Sequence, residues 1–425
     1  MTAEGVLLTV LMFFVLVSGH EWGHYHFAKR AGILVREFAI GFGPRLLSFK
    51  KGETRYTIRL LPLGGFVRMA GEDPEIVDIK DGQTVAVGLD EKGETVTRIY
   101  LDQLDSRRGA LRGVVEQLDL ERRLSITLDV DGDLKTFPVA RDALLVFRGR
   151  ETQIAPLDRQ FGSKTVAQRS MAIFAGPMMN FILAFLLFVV FAYMSGVRVD
   201  HPDHLVLSSV SDQSPAAEAG LKPGDIVVSV DGVTIGADRE GLIRLIRESP
   251  GREMTWVIRR GGELLETAVT PRSEQGIGVV GIGISYPTRT PTVSEAVVGA
   301  GETMWNATKQ IAIGLKMLVM AQLSLDDMAG IVRITEMTGE AVSQGMNMYV
   351  FWAGILSLYL GIFNLLPFPA LDGSRLIFLG IEALRGRPVD PRRESLVHFI
   401  GFAMLMVLMI VVTYNDILRL LNPKQ

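Results

Sequence analysis

The hydrophobic positions of this chain fall into long blocks with polar stretches between them, which is not the pattern of a single water-soluble core. Gly5 to Gly19 carries no charge and continues helically through His20 and Glu21 to Ala28, and Met171 to Val197 carries no charge at all. Ala341 to Leu371 is likewise uncharged, and Ser395 to Tyr414 has His398 as the single ionisable group of its apolar run. Each block is long enough to cross the roughly 30 Å apolar layer of a bilayer as a helix. The pattern predicts four transmembrane helices, at 1–28, 171–197, 341–382 and 395–417. The first block also resembles a secretory leader in length, but no Lys or Arg precedes Lys29, so the basic start of a leader is missing.

Between the blocks the period changes. Over 29–72, Tyr56, Ile58 and Leu60 alternate with Thr57 and Arg59, punctuated by Gly41, Gly43, Pro62, Gly64 and Gly65, which predicts short β-hairpins lying against the membrane. Residues 73–165 contain Leu124 to Val130 followed by an Asp131-Gly132 turn, and read as a β-rich insert. Over 200–275 the order is strand, small-residue helix (Pro215 to Ala219), Pro223-Gly224-Asp225 turn, strand (Ile226 to Val230), amphipathic helix near Leu242 to Ile246, and two strands. Across 285–325, Lys309 and Lys316 interrupt apolar runs, so an amphipathic helix at the interface is expected there in preference to a fifth span. The predicted class is a helical membrane protein: four spans, a membrane-associated hairpin region, a cytoplasmic β-rich insert and an extracytoplasmic α+β domain.

Composition narrows the chemistry. Of 425 residues 48% are hydrophobic and 21% charged, and 44 Lys+Arg against 47 Asp+Glu leave a net charge of −3, no excess for binding a nucleic acid backbone. Cysteine is absent, which excludes disulfides, thiol nucleophiles and Cys-based metal sites. Basic residues cluster after the first span (Lys29, Arg30, Arg36), before the second (Arg159, Lys164, Arg169) and between the third and fourth (Arg375, Arg385, Arg387, Arg392, Arg393), so these flanks are expected to be cytoplasmic and both termini outside. Arg419 and Lys424 oppose this scheme.

The sharpest chemical signal is His20-Glu21-Trp22-Gly23-His24. Residues four apart on a helix differ by about 40° around the axis, so both imidazoles enter one space and can share a metal, with Glu21 beside them as base. Ionisable groups inside an apolar helix are costly and by default functional. His26 lies on another side of the helix, and His201, His204 and His398 lie in other segments. A third ligand is then a carboxylate, and Asn364-Leu365-Leu366-Pro367-Phe368-Pro369-Ala370-Leu371-Asp372-Gly373 puts Asp372 at the matching depth of the third span. Pro367 and Pro369 break that helix and free carbonyls that must line an enclosed cavity. Asp372-Gly373 reads equally well as a plain turn leaving the membrane.

Taken together, HExxH, Gly41 to Pro44, Leu61 to Glu72, Gly176-Pro177-Met178-Met179-Asn180 and Asn364 to Gly373 resemble the site-2 protease family of intramembrane zinc metalloproteases, of the bacterial regulator of sigma-E protease type. Ser214 to Val227 resembles a bacterial PDZ domain, one copy as in the Gram-positive branch of the family. The resemblance implies Zn2+ held by His20, His24 and Asp372, Glu21 as catalytic base, and Asn364 in substrate handling. With Pro367, and Arg59, Gly64 and Gly65 of the hairpin region, Asn364 forms the candidate substrate-binding set. An extended substrate is expected to pair with the edge of the Arg55 to Met69 hairpin near Ile58. Implied partners are single-span membrane substrates, such as a pre-trimmed anti-sigma factor or signal-peptide remnants, a peptide or substrate tail at the PDZ domain, and the bilayer of a bacterial cell membrane. Two rival readings, a PDZ scaffold with a relic metal motif and a transporter, are disfavoured by the intact quartet and by the absence of an internal repeat.

Overall fold

A computed structural model describes residues 3–72, 79–104, 107, 109–320, 322 and 328–421. Its helices are α1 (Ala3–Arg30), α2 (Val166–Ser195), the short α3 (Pro215–Glu218) and α4 (Arg239–Arg247), then α5 (Val293–Val319), α6 (Ile331–Ser343), α7 (Met346–Asn364), α8 (Asp372–Arg385) and α9 (Pro391–Leu421). Four stretches, Glu4–Arg30, Val166–Ser195, Met346–Asn364 and Arg393–Leu421, are long and apolar enough to cross a membrane. This is a multi-pass membrane protein. It divides into two compact units, Met1–Phe188 with Glu302–Gln425, and Val189–Gly301.

The helices of the first unit approach closely because glycines face them. A Cβ on Gly23 of α1 would lie 2.3 Å from the Ala175 carbonyl oxygen of α2, and one on Gly354 of α7 would lie 2.7 Å from the Phe188 ring of α2. In lipid, where no hydrophobic force drives helices together, small residues allow this packing and hydrogen bonds add to it. Ser357 Oγ donates to the Asn180 carbonyl at 2.9 Å, Tyr349 Oη to the Leu8 carbonyl at 2.9 Å, and Trp352 Nε1 to Thr338 Oγ1 at 3.0 Å. The third span is shorter than the 341–382 expected. α6 ends at Ser343, α7 starts at Met346, and the chain leaves helical geometry from Leu365 to Leu371, around the two prolines, before α8 begins at Asp372.

The hairpin region is two long strands, β1 (Val35–Lys51) and β2 (Thr54–Met69), each folded back on itself. Ile40 pairs with Gly65 on one side and with Ile58 on the other, while Ile58 also pairs with Leu47. The expectation that a substrate strand adds near Ile58 is therefore corrected: Ile58 has ladder neighbours on both sides, because alternation reveals a strand but not its place in a sheet. One edge of this small sheet is Gly65–Met69. Glu37 is its buried polar anchor, accepting from Arg59 Nη2 at 2.8 Å and Thr57 Oγ1 at 3.0 Å. Burial opposes the Glu37 anion, but hydrogen bonds from Arg59 and Thr57 and the charge of Arg45 outweigh it and hold the carboxyl below its ordinary value. At the β1–β2 turn Glu53 accepts from Arg159 at 2.7 and 2.9 Å and pairs with Lys29 at the end of α1. Led by the Arg159 hydrogen bonds, these partners bring the Glu53 carboxyl down to about 2, so the tie persists at neutral pH.

The insert closes on itself. Its strands run in the order 96–100, 84–89, 111–119, 125–130, 133–147 and 150–153, and 96–100 also pairs with 133–147 around a core of Val85, Val87, Ile99, Ile126 and Leu128.

The second unit folds around Trp256, Leu205, Leu207, Leu242 and Val230. Its sheet order is 263–269, 254–260, 226–230, 205–210 and 282–285. Ser214 caps α3 and Asp238 caps α4, each accepting a backbone N–H three residues on. The sheet therefore continues beyond the 200–275 expected. Its last strand, Ile282–Ser285, comes after a glycine-punctuated stretch, Gly276 to Gly281, that holds the short strand Ile277–Val279. Within the 285–325 stretch the helix is Val293–Val319; residue 321 and residues 323–327 lie outside the described residues, as does Lys424.

Candidate functional site

α1 brings His20 and His24 to one face, as their spacing requires, and α8 brings Asp372 in its first turn. His20 Nε2 and His24 Nε2 are 3.1 Å apart, and each lies 3.3 Å from Asp372 Oδ2. Among the described residues no other trio of His, Asp or Glu converges in this way. A tetrahedron with bonds of about 2.0–2.1 Å has edges of about 3.3 Å, so the triangle fits three vertices around a zinc-sized cation. The polar accounting agrees. His24 Nδ1 donates to the Ala172 carbonyl at 2.9 Å, which leaves its Nε2 as a bare lone pair, and Asp372 Oδ2 is buried with no hydrogen-bond donor. Lone pairs facing one another in an apolar bundle call for a cation between them. The positive end of the α8 dipole favours the carboxylate anion that such a site needs.

α2 completes the site through one stripe. Ala172 accepts from His24, Gly176 leaves room for both rings, and Asn180 meets His20 Nδ1 at 3.1 Å. A Cβ on Gly176 would lie 2.2 Å from His24 Nε2 and 2.9 Å from His20 Cε1. Asn180 is fully buried and its Oδ1 has no partner, so turning the amide over places that oxygen on His20 Nδ1–H and satisfies both groups. His20 then also presents a bare Nε2 to the centre. Ring nitrogens fixed in this way are worth about 10–100-fold in metal affinity. Asn180→Leu is accordingly expected to weaken zinc binding by about that factor, measured by chelator competition, while Asn180→Asp retains it. Equal affinity for the Leu variant and the wild type would remove Asn180 from this role.

The sequence model of peptidase family M50 matches residues 8–408. The chain belongs to peptidase family M50. It is similar to "Zinc metalloprotease RasP" of Oceanobacillus iheyensis, 43% identical over 98% of this chain and 99% of that one. It is also similar to "Regulator of sigma-W protease RasP" of Bacillus subtilis, 45% identical over 99% and 100% of the two chains. "Probable protease eep" of Enterococcus faecalis is 38% identical over 97% of this chain and 99% of its own.

In this M50 peptidase Glu21 is buried beside the two histidines and meets the β2 edge: a Cβ on Gly65 would lie 2.7 Å from Glu21 Cγ and 3.0 Å from its Oε1. Gly64 adopts φ +142, with the Phe42 ring closing against it. Arg59 is engaged by Glu37 and the Gly43 carbonyl. Asn364 is the last residue of α7 and is half-buried, and Pro367 is exposed in the turn that follows. His26 stacks on Trp22 at 5.1 Å, on the side of α1 away from the trio. Sequence reasoning assigned no task to Ala172, Gly176 or Asn180. Their signal was present: small or polar residues at every fourth position of an otherwise bulky apolar helix mark a face that another helix approaches.

Proposed function

We propose that this chain hydrolyses peptide bonds within or beside the transmembrane segment of single-span membrane proteins, with His20, His24 and Asp372 holding zinc and Glu21 acting as base. It is a zinc metalloendopeptidase of the site-2 protease family. The observation that carries the residue assignment is the 3.1–3.3 Å triangle of His20 Nε2, His24 Nε2 and Asp372 Oδ2 inside an apolar bundle. Zinc bound there supplies a Lewis acid for the scissile carbonyl and makes a water nucleophilic near neutral pH. Glu21, adjacent to His20 on the same helix, takes the proton from that water and passes it to the leaving amine. Ala172 and Asn180 hold the imidazoles in the tautomers that point Nε2 inward.

A transmembrane helix hides its carbonyls in its own hydrogen bonds, so the substrate is unwound before it is cut. The Gly65–Met69 edge passes directly beside Glu21 and offers a ladder to an extended segment. Gly65→Ala places a methyl against both Glu21 and the Ala39 carbonyl, so cleavage is expected to fall at least about tenfold with zinc content unchanged. Unaltered cleavage by that variant would detach the edge from the reaction. Asn364 and Pro367, which precede Asp372 in the chain, are the other residues that this reading assigns to the substrate.

The basic flanks after α1, before α2 and around α8 support an active site toward the cytoplasm, with both termini and the Val189–Gly301 unit outside. That unit has the element order of a PDZ domain and holds, or limits access of, the outer tail of the substrate. The sigma-W name of the Bacillus relative supports a pre-trimmed anti-sigma factor as client. The test is cleavage by the purified protein of a single-span anti-sigma substrate, intact or shortened on its outer side. The shortened form is expected to be cut, a zinc chelator to stop the reaction and zinc to restore it. Zinc-loaded protein that cuts neither form would overturn this substrate class.

A further inference from the structure

The loop that carries Asp372 is seated on α9, a helix with no part in the chemistry above. Ala370 adopts φ +78, a left-handed conformation that alanine rarely takes, two residues before Asp372. Its backbone N–H donates to His398 Nδ1 of α9 at 3.1 Å. Three residues on, Gly401 gives the neighbouring residue room: a Cβ there would lie 2.3 Å from Pro369 Cβ and 2.5 Å from the Pro369 carbonyl oxygen. One turn of α9 is thus shaped to Pro369 and Ala370 by a hydrogen-bond acceptor and a missing side chain. The His398 ring stands edge-on to Phe378 of α8, at 5.8 Å and 65°, so it touches the turn and the helix that Asp372 begins. Because Nδ1 accepts a backbone N–H, the ring proton of neutral His398 sits on Nε2, which faces Glu394 Oε1 at 3.7 Å.

A left-handed alanine persists where its surroundings over-determine it, and such residues cluster at functional sites. Here the surroundings are His398 and Gly401, and the group whose position depends on the turn is the Asp372 carboxylate. We propose that His398 is a positioning residue for the metal centre, holding the Pro369–Ala370 turn so that Asp372 meets His20 and His24. The inference rests on the reading of Asp372 as a zinc ligand. His398 acts through the Ala370 amide and touches neither the metal nor the substrate.

The test is zinc affinity of the purified full-length chain, by chelator competition on the apo protein, with near-UV circular dichroism as the check on folding. His398→Leu is expected to weaken zinc binding about 10–100-fold, the range for residues that orient ligands. His398→Asn, whose Oδ1 can accept the Ala370 N–H, is expected to stay within about threefold of wild type. Ala370→Gly adopts the left-handed turn without strain, so in the His398→Leu background it is expected to recover most of the lost affinity. A packing role for the ring predicts no such recovery. Gly401→Ala, which drives a methyl into Pro369, is expected to weaken binding as well and serves if His398→Leu does not fold. Wild-type affinity in folded His398→Leu or Gly401→Ala, or a double variant no better than the single, overturns the proposal. Asp372→Asn separates the two levels: if it keeps wild-type affinity the ligand assignment itself fails, whereas if it loses zinc and His398→Leu does not, only the positioning role fails.

Discussion

Glu21→Gln leaves a protein that folds, binds one zinc and no longer cuts. Gln matches Glu in size and keeps hydrogen-bonding capacity, so the space beside Gly65 and the two histidines stays filled. What disappears is the proton acceptor. General-base assistance is worth about 10²–10⁴-fold, and cleavage of a single-span substrate is expected to fall by that range. Zinc content, measured by atomic absorption on the same preparation, is expected to be unchanged, because Glu21 is not among the three converging groups that could hold a metal. His24→Ala behaves differently and loses zinc and activity together. Cleavage by the Gln variant within tenfold of wild type would assign the base to another group.

Gly176→Ala is expected to be nearly as damaging, although it adds one methyl group in a helix that contributes no ligand. That methyl would sit 2.2 Å from His24 Nε2 and 2.5 Å from its Cε1, inside any allowed contact. The neighbouring contact leaves no slack for the helices to relax, since even a Cβ on Gly23 of α1 would lie 2.3 Å from the Ala175 carbonyl oxygen. Either the imidazole swings out of the triangle or α1 and α2 separate and lose the Ala172 and Asn180 hydrogen bonds. Both outcomes exceed the loss of a single orienting bond, so zinc affinity is expected to drop at least about 100-fold. Gly380→Ala in α8 is the control: nothing lies within 4 Å of its added Cβ, and zinc binding should be as in wild type. Unchanged affinity in Gly176→Ala would mean that α1 and α2 do not pack as described.

What was legible in the sequence is what local rules encode. Charge-free blocks long enough to span appear as helices because the bilayer leaves the backbone no other way to satisfy itself over that length. His20 and His24 share a face because the α-helix repeats every 3.6 residues, whatever surrounds it. Depth left Asp372 divided between a ligand and a plain turn, and the family resemblance implied the ligand; the structure brings its carboxylate within 3.3 Å of both histidines. The small helices and strands of the Val189–Gly301 unit announced themselves through turn residues and amphipathic spacing.

Tertiary structure alone decided what depends on rotation and register between segments far apart in the chain. Nothing local tells Asn180 that His20 lies opposite, or His398 that it meets the Ala370 amide; both facts follow from how antiparallel helices mesh their small residues. The hairpin region reads as simple alternation, yet β1 and β2 fold back so that Ile58 is interior and Gly65 lies at the edge beside Glu21. A strand records which of its faces is apolar, not which neighbours it pairs with. The sequence by itself determined the apolar blocks and the shared face of His20 and His24, because periodicity and solvation act residue by residue. The structure decided which side chains meet His20, His24 and Asp372, because that is set by packing distances no single segment contains.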